Sequence, residues 1–236
     1  MDKITIKKRH IYALILAALL LVFIGCCYLV DRGNRQALGV AALMENPVFI
    51  VDAGHGSPDG GAVGADGTLE KDINLAIAMY LRDFLRAFGH EVIMTREGDE
   101  SIHGEEATTI RQKKVSDIHK RTALVNDTPR AVLLSIHQNK FPQEHVNGMQ
   151  TFYSPNNLKS FALAQSIQDS VRELTQPKNH RKVKPAGNNI YLLRYAQAPA
   201  VLIECGFISN SAEREKLKTI QYQKDLAFAI ALGVLG

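Results

Sequence analysis

The chain of 236 residues is long enough for one domain of ordinary size and an appendage. Hydrophobic residues make up 46% and charged residues 22%, close to the average of globular proteins, so the composition predicts a sizeable core. Most of the formal net charge of +4 comes from Lys3, Lys7, Lys8 and Arg9. Because the remainder is nearly neutral, the charge does not support nucleic-acid binding.

The cysteines restrict the chemistry further. Cys26 and Cys27 lie in an apolar N-terminal run, and Cys205 is the third and last cysteine of the sequence. This arrangement excludes a disulfide framework and a cysteine zinc cluster.

Residues 11–30 carry no charge and, as a helix, span about 30 Å, the thickness of a bilayer's hydrocarbon core. Four basic residues precede this run, so the positive-inside rule predicts a transmembrane anchor with everything after it outside the cytoplasm. Two alternatives remain open. One is a cleaved signal peptide, and the other is lipidation at Cys26, which follows a poor lipoprotein cleavage box. Residues 31–46 are predicted to be a linker.

Residues 47–236 alternate apolar runs with segments of helical periodicity. This alternation predicts a single α/β domain with a central, mostly parallel sheet between helices. The predicted helices are 70–88, 158–174 and 221–235, and the predicted strands are 48–51, 92–94, 131–136, 149–153, 190–193 and 200–203. The polar residues 97–120 are predicted to be a surface excursion with some helix.

Residues able to bind metal stand at the ends of these elements. His55 follows the first strand, His137 ends the third, Glu204 ends the last, and Glu70 opens the first helix. Ligands bind beyond the carboxyl ends of the strands in an open α/β sheet, so these four side chains are expected on one rim. Two histidines and a carboxylate are a common catalytic zinc set, and a second carboxylate then serves as general base.

Each residue also has a simpler interpretation. Glu70 suits a helix N-terminus, where the helix dipole stabilises carboxylates, and His137 suits a hydrogen-bonded position in the core. Cys205 is either a nucleophile or a small buried residue. The basic segment 178–184 is either a solvated surface or a contact for substrate carboxylates.

The sequence motifs around these residues are specific to one protein family. DAGHG at 52–56, EKDINL at 70–75, SIH at 135–137 and VLIECGFISN at 201–210 resemble, in this order, the blocks of the zinc N-acetylmuramoyl-L-alanine amidases. The resemblance covers residue 47 to the C-terminus. It implies His55, Glu70 and His137 as zinc ligands and Glu204 as the catalytic glutamate. Departures such as Ala53, Ser57 and Gln138 affect none of these four residues.

The resemblance implies zinc-dependent hydrolysis of the amide bond between N-acetylmuramic acid and L-alanine in peptidoglycan. An anchor followed by a bare catalytic domain looks most like the family members that spore formers use to make muramic-lactam in the cortex. Asn139 is a candidate for orienting the substrate, and a regulatory protein partner is expected. Two rival hypotheses are another zinc peptidoglycan hydrolase, such as a carboxypeptidase, and a non-catalytic wall-binding protein on the same fold.

Overall fold

The computed structural model describes residues 44–236. Helices and strands alternate over most of this range. In chain order they are β1 (Val48–Ala53), α1 (Glu70–Ala87), β2 (Glu91–Met94), α2 (Ile110–Asp127), β3 (Ala131–Asn139), β4 (Gln150–Tyr153), α3 (Lys159–Leu174), β5 (Lys184–Pro185), α4 (Tyr191–Tyr195), β6 (Ala200–Phe207), α5 (Ser211–Leu217) and α6 (Ile220–Leu235).

The six strands form one sheet in the order β2-β1-β3-β6-β4-β5. Strands β1, β2, β3 and β6 run parallel to one another, whereas β4 pairs with β6 antiparallel and carries β5 on its outer edge. The predicted α/β domain with a mostly parallel sheet is therefore confirmed.

Helices cover both faces of the sheet. Phe49 and Val51 of β1 point to the face covered by α1, α3 and α6, and Ile50 points to the opposite face, covered by α2 and α4. Each strand alternates in this way because successive side chains leave a strand in opposite directions. The sheet is consequently apolar on both faces, as the continuous hydrophobic runs predicted.

Two parts of the prediction were wrong or incomplete. Residues 190–193, predicted as a strand, contribute instead to the short helix α4. Its side chains Leu192 and Leu193 are buried on the α2 side of the sheet. A short apolar run can bury its side chains either as a strand or as a helix, so the hydrophobic pattern could not distinguish the two. The polar stretch 97–120 holds the first half of α2, which begins at a capping box formed by Thr109 and Gln112.

No helix within residues 44–236 has the length and apolarity to cross a membrane. The predicted anchor at 11–30 lies outside the described residues, as does most of the predicted linker at 31–46, so both remain predictions.

Candidate metal centre and catalytic cleft

The structure brings the three predicted metal ligands together at the carboxyl edge of the sheet. His55 follows β1, Glu70 is the first residue of α1, and His137 lies near the end of β3. Their potential ligand atoms all lie within 4.8 Å of one another. Glu70 Oε1 is 3.2 Å from His55 Nε2 and 3.0 Å from His137 Nδ1.

Hydrogen bonds fix the orientation of His55. Its Nδ1 lies 2.8 Å from Asp59 Oδ2, which leaves Nε2 facing Glu70 and His137. A carboxylate on the outer nitrogen is the usual arrangement for a metal-bound histidine. Burial opposes protonation of His55, but Asp59 and Glu70 outweigh it and raise the pKa of the metal-free side chain to about 9.

Glu70 is buried and held from several sides. Its Oε2 accepts a hydrogen bond from the Ala62 amide at 2.7 Å. Oε1 accepts from the Gln138 amide at 3.0 Å and from Asn74 Nδ2 at 3.2 Å. Burial alone would raise the pKa of Glu70, yet His137 and His55 hold it well below its usual range. Glu70 thus serves more than the helix dipole, because its carboxylate is ionised and aimed at both histidines.

Two glycines make room for these side chains. A Cβ on Gly54 would lie 2.3 Å from the ring of His137. Gly61 has a φ of +69°, and a Cβ there would lie 2.6 Å from Glu70 Oε2 and 2.8 Å from the His55 ring. A side chain at either position would therefore overlap one of the predicted metal ligands.

The residues present fit a zinc ion. Bonds of about 2.0–2.1 Å at tetrahedral angles place ligand atoms roughly 3.3 Å apart, close to the distances from Glu70 Oε1 to the two histidines. A neutral histidine pair with one carboxylate is also the donor set of many catalytic zinc sites with an open fourth position.

Glu204 lies beside this cluster. It is the register partner of His137 on β6, and it lines the same cleft. Its Oε2 is buried and has no hydrogen-bond partner among the described residues. Burial raises the pKa of Glu204 to about 7, with Glu70 adding to the effect and the two histidines opposing it. An unpartnered buried carboxylate is costly, so this arrangement favours a functional role over a structural one.

Cys205, the next residue, points the other way. It lies fully buried in the core on the α1 side of the sheet, and burial raises the pKa of its thiol above the usual value. A thiol in this position has neither the access nor the ionisation that a nucleophile needs.

Buried ion pairs and hydrogen bonds form a network beneath the metal cluster. Arg121 of α2 pairs with Asp52 and Asp117, and its Nη2 donates to the carbonyl of His55 at 2.7 Å. Arg96 donates to the carbonyls of Ala53 and Gly54. Burial raises the pKa of Asp52, but Arg121 and hydrogen bonds from Ser135 and Thr95 lower it to about 2. The two arginines hold the backbone that carries His55, which itself has an unusual positive φ of 65°.

The cluster lies in a cleft of about 530 Å³. The substrate-orienting candidate Asn139 lines this cleft, and so do two lysines of α2, Lys113 and Lys114. Among the described residues that line it, none comes from the basic segment 178–184. Within that segment Arg181 is a packing residue, because its guanidinium stacks on Phe207 at 4.6 Å from the ring centroid.

Residues 49–235 match the N-acetylmuramoyl-L-alanine amidase family Amidase_3. The chain belongs to this family. The match spans all of the described sheet except Val48, and it confirms the resemblance drawn from the sequence blocks.

Individual family members agree with this assignment. The chain is 36% identical to the germination-specific N-acetylmuramoyl-L-alanine amidase of Bacillus subtilis, over 81% of this chain and 80% of that one. It is similar to the CwlD amidase of Clostridioides difficile, solved in complex with the GerS lipoprotein, with a TM-score of 0.77, 41% identity and coverage of 80% and 96%. The amidase AmiC2 of Nostoc punctiforme has a TM-score of 0.69 at 26% identity, with coverage of 81% and 96%.

Proposed function

We propose that this amidase is a zinc enzyme that cleaves the bond between N-acetylmuramic acid and the L-alanine of the stem peptide. The observation that carries the proposal is the convergence of His55, Glu70 and His137 beside Glu204, whose buried Oε2 has no hydrogen-bond partner within residues 44–236. The two histidines and Glu204 line one cleft. Membership of the amidase family supplies the bond that is cut.

His55, Glu70 and His137 would hold the metal. A zinc ion bound there supplies a Lewis acid that lowers the pKa of water to roughly 7 and polarises the carbonyl under attack. Asp59 keeps a proton on His55 Nδ1, the two histidines keep Glu70 ionised, and the amides of Ala62 and Gln138 hold its carboxylate in place. The protein thus presents an ionised Glu70 and a correctly oriented His55, from which the metal must displace the second proton.

Glu204 acts as general base and then as general acid. Its carboxylate accepts a proton from the attacking water as the new C–O bond forms. It then gives that proton to the leaving nitrogen as the C–N bond breaks, so the products are the muramoyl carboxylate and a peptide with a free L-alanine amine. Burial raises the pKa of Glu204 in the metal-free protein, which favours proton uptake by a group that must accept and return one proton.

Zinc dependence and bond specificity are tested together on purified peptidoglycan. We expect about one zinc per chain, new L-alanine amino termini in the digest, and loss of activity on chelation that zinc restores. Release of D-alanine instead would favour the rival carboxypeptidase. A zinc-loaded protein that binds peptidoglycan without releasing either product would favour the rival wall-binding function.

We also propose that the enzyme acts on spore-cortex peptidoglycan from the outer side of a membrane, held by residues 11–30. Similarity to the germination-specific amidase supports the cortex role, and the charge pattern around residues 11–30 supports the anchor. Deletion of the gene should remove muramic-lactam from the cortex. Protease added to intact spheroplasts should digest the domain, and digestion only after permeabilisation would refute this orientation.

A lipoprotein is the class of regulatory partner that we propose, because the similar CwlD amidase was solved in complex with one. Co-expression of the catalytic domain with lipoproteins of the same organism, followed by size-exclusion chromatography, tests this. A stable complex that alters zinc content or turnover supports it, whereas a domain that is fully active and elutes alone in every pairing contradicts it.

A further inference from the structure

Two lysines of α2 form a cationic wall in the catalytic cleft. Lys113 and Lys114 both line the cleft that holds His55 and Glu204. Lys113 is half-buried, and the side chain of Lys114 is 51% exposed. The polar face of a helix normally turns its lysines to open solvent, so their place beside a reaction centre requires an explanation.

The nearby acidic side chains are committed to other groups. Asp52 and Asp117 pair with Arg121, and Asp59 bonds His55 and Lys114. Within residues 44–236, the side chain of Lys113 has no hydrogen bond or ion pair, and its backbone amide bonds the Thr109 carbonyl. Lys113 and the remaining donors of Lys114 can therefore bind an anion that enters the cleft from outside the protein.

The distance to the reaction centre limits which anion this is. Asp59 links Lys114 Nζ to His55 Nδ1 through two contacts of 2.8 Å, so Nζ lies no more than about 10 Å from His55 Nε2. Two residues of extended chain reach about 7 Å. A carboxylate two residues beyond the scissile carbonyl thus falls within reach of Lys114, and Lys113 lines the same cleft.

We propose that Lys113 and Lys114 bind the α-carboxylate of the second stem-peptide residue, a glutamate joined to the third residue through its γ-carboxyl. This inference rests on the proposed amidase function and adds a preference for an acidic stem peptide. The proposal assigns the substrate carboxylate to Lys113 and Lys114 and not to the basic segment 178–184, because that segment does not line the cleft.

Matched muropeptides test the proposal, one with the free α-carboxyl and one with its amide. We expect the zinc-loaded wild-type protein to favour the free acid by about 10-fold in kcat/KM, the worth of one charge-assisted hydrogen bond. Lys113→Met should remove most of this preference by raising KM for the acid, with kcat and the amide substrate unchanged within about twofold. Lys113→Arg should keep the preference, since it keeps the cation.

Lys120→Met is the matched control, because Lys120 lies on the same helix but not in the cleft. It should behave as wild type on both substrates. Equal cleavage of the two muropeptides by the wild-type protein, or an equal loss on both in Lys113→Met, would overturn the inference and leave the proposed function intact. No cleavage of either muropeptide by zinc-loaded protein would overturn both.

Discussion

His137 and Glu204 are register partners on the neighbouring parallel strands β3 and β6. Residues in register on adjacent strands project to the same face, so both side chains enter the cleft on the α2 side. One step along each strand, Ile136 and Cys205 lie in the core on the other face. The sheet thus sets a predicted metal ligand beside the predicted base with no contribution from a flexible loop.

This relationship leads to the prediction for Glu204→Gln. The amide is nearly isosteric, so zinc content and melting temperature should remain close to wild type. The variant cannot accept the proton of the attacking water, and kcat should therefore fall about 10²- to 10⁴-fold with a much smaller change in KM. Zinc analysis, thermal melts and steady-state kinetics on one preparation give all three quantities.

Two other results would reassign Glu204. If zinc content fell together with the rate, Glu204 would be a fourth ligand. If the melting temperature fell while the rate per folded molecule stayed normal, it would be a structural carboxylate.

The sequence was sufficient for the rim of the sheet. Apolar runs closed by polar residues predicted that His137 and Glu204 end their strands, whereas β3 continues to Asn139 and β6 to Phe207. The resemblance to the amidases gave His55, His137 and Glu204 their roles. Those roles remain predictions, but the structure places the three side chains in one cleft beside Glu70.

The cleft's outer wall was not predictable in the same way. Helix α2 has no continuous apolar stripe, because its inward face carries Asp117 and Arg121, which pair with each other and with Asp52. Hydrophobic periodicity cannot detect a helix that is held by buried ion pairs. The lysines on this helix therefore gave no signal, whereas the basic segment 178–184 drew attention through local charge density alone.

Gly61→Ala should weaken metal binding specifically. A methyl group at this position would lie 2.6 Å from Glu70 Oε2 and 2.8 Å from the His55 ring, which must shift to admit it. We expect zinc affinity to fall by at least about 10-fold, the size of effect produced by disturbing the groups that orient metal ligands. Competition with a chromophoric chelator measures the change.

Gly67→Ala is a closely matched control. Gly67 also has a positive φ, +86°, but a Cβ there meets nothing within 4 Å. Both variants should lose about 1–2 kcal/mol of stability from the left-handed backbone conformation, and only Gly61→Ala should lose zinc. Equal zinc affinity in the two variants would show that the glycine matters for backbone conformation alone.

Asp52→Asn should destabilise the fold. The substitution leaves the buried Arg121 without its main partner, and breaking such a pair costs about 3–5 kcal/mol. Urea unfolding of the metal-free protein at pH 7 measures the loss. A cost below about 1 kcal/mol would mean that Asp117 alone suffices to hold Arg121.

The same pair predicts a pH dependence in the acid range. The pKa of Asp52 falls from 3.8 to about 2 on folding, so its ionisation stabilises the native state above about pH 4. This contribution, about 2 kcal/mol, is lost as the pH falls from 4 towards 2. The difference in unfolding free energy between wild type and Asp52→Asn should therefore shrink over that interval. A constant difference from pH 5 to pH 2.5 would contradict the assignment.

Zinc binding should release a proton from His55. In the metal-free protein Asp59 and Glu70 raise the pKa of His55 to about 9, so its imidazole is protonated at pH 7. A metal ligand must be neutral, and binding at pH 7 therefore expels close to one proton from this side chain. Below pH 9 the apparent affinity should fall about tenfold per pH unit through His55 alone, because the metal-free imidazole carries the second proton and the metal-bound imidazole does not. Calorimetric titration in two buffers of different ionisation enthalpy counts the protons directly.

Asp59→Asn removes the strongest stabiliser of the imidazolium, so this variant should release fewer protons at pH 7. Its zinc affinity should also fall, because the His55 ring is less firmly oriented. Identical proton release in wild type and Asp59→Asn would show that Asp59 does not control the ionisation of His55.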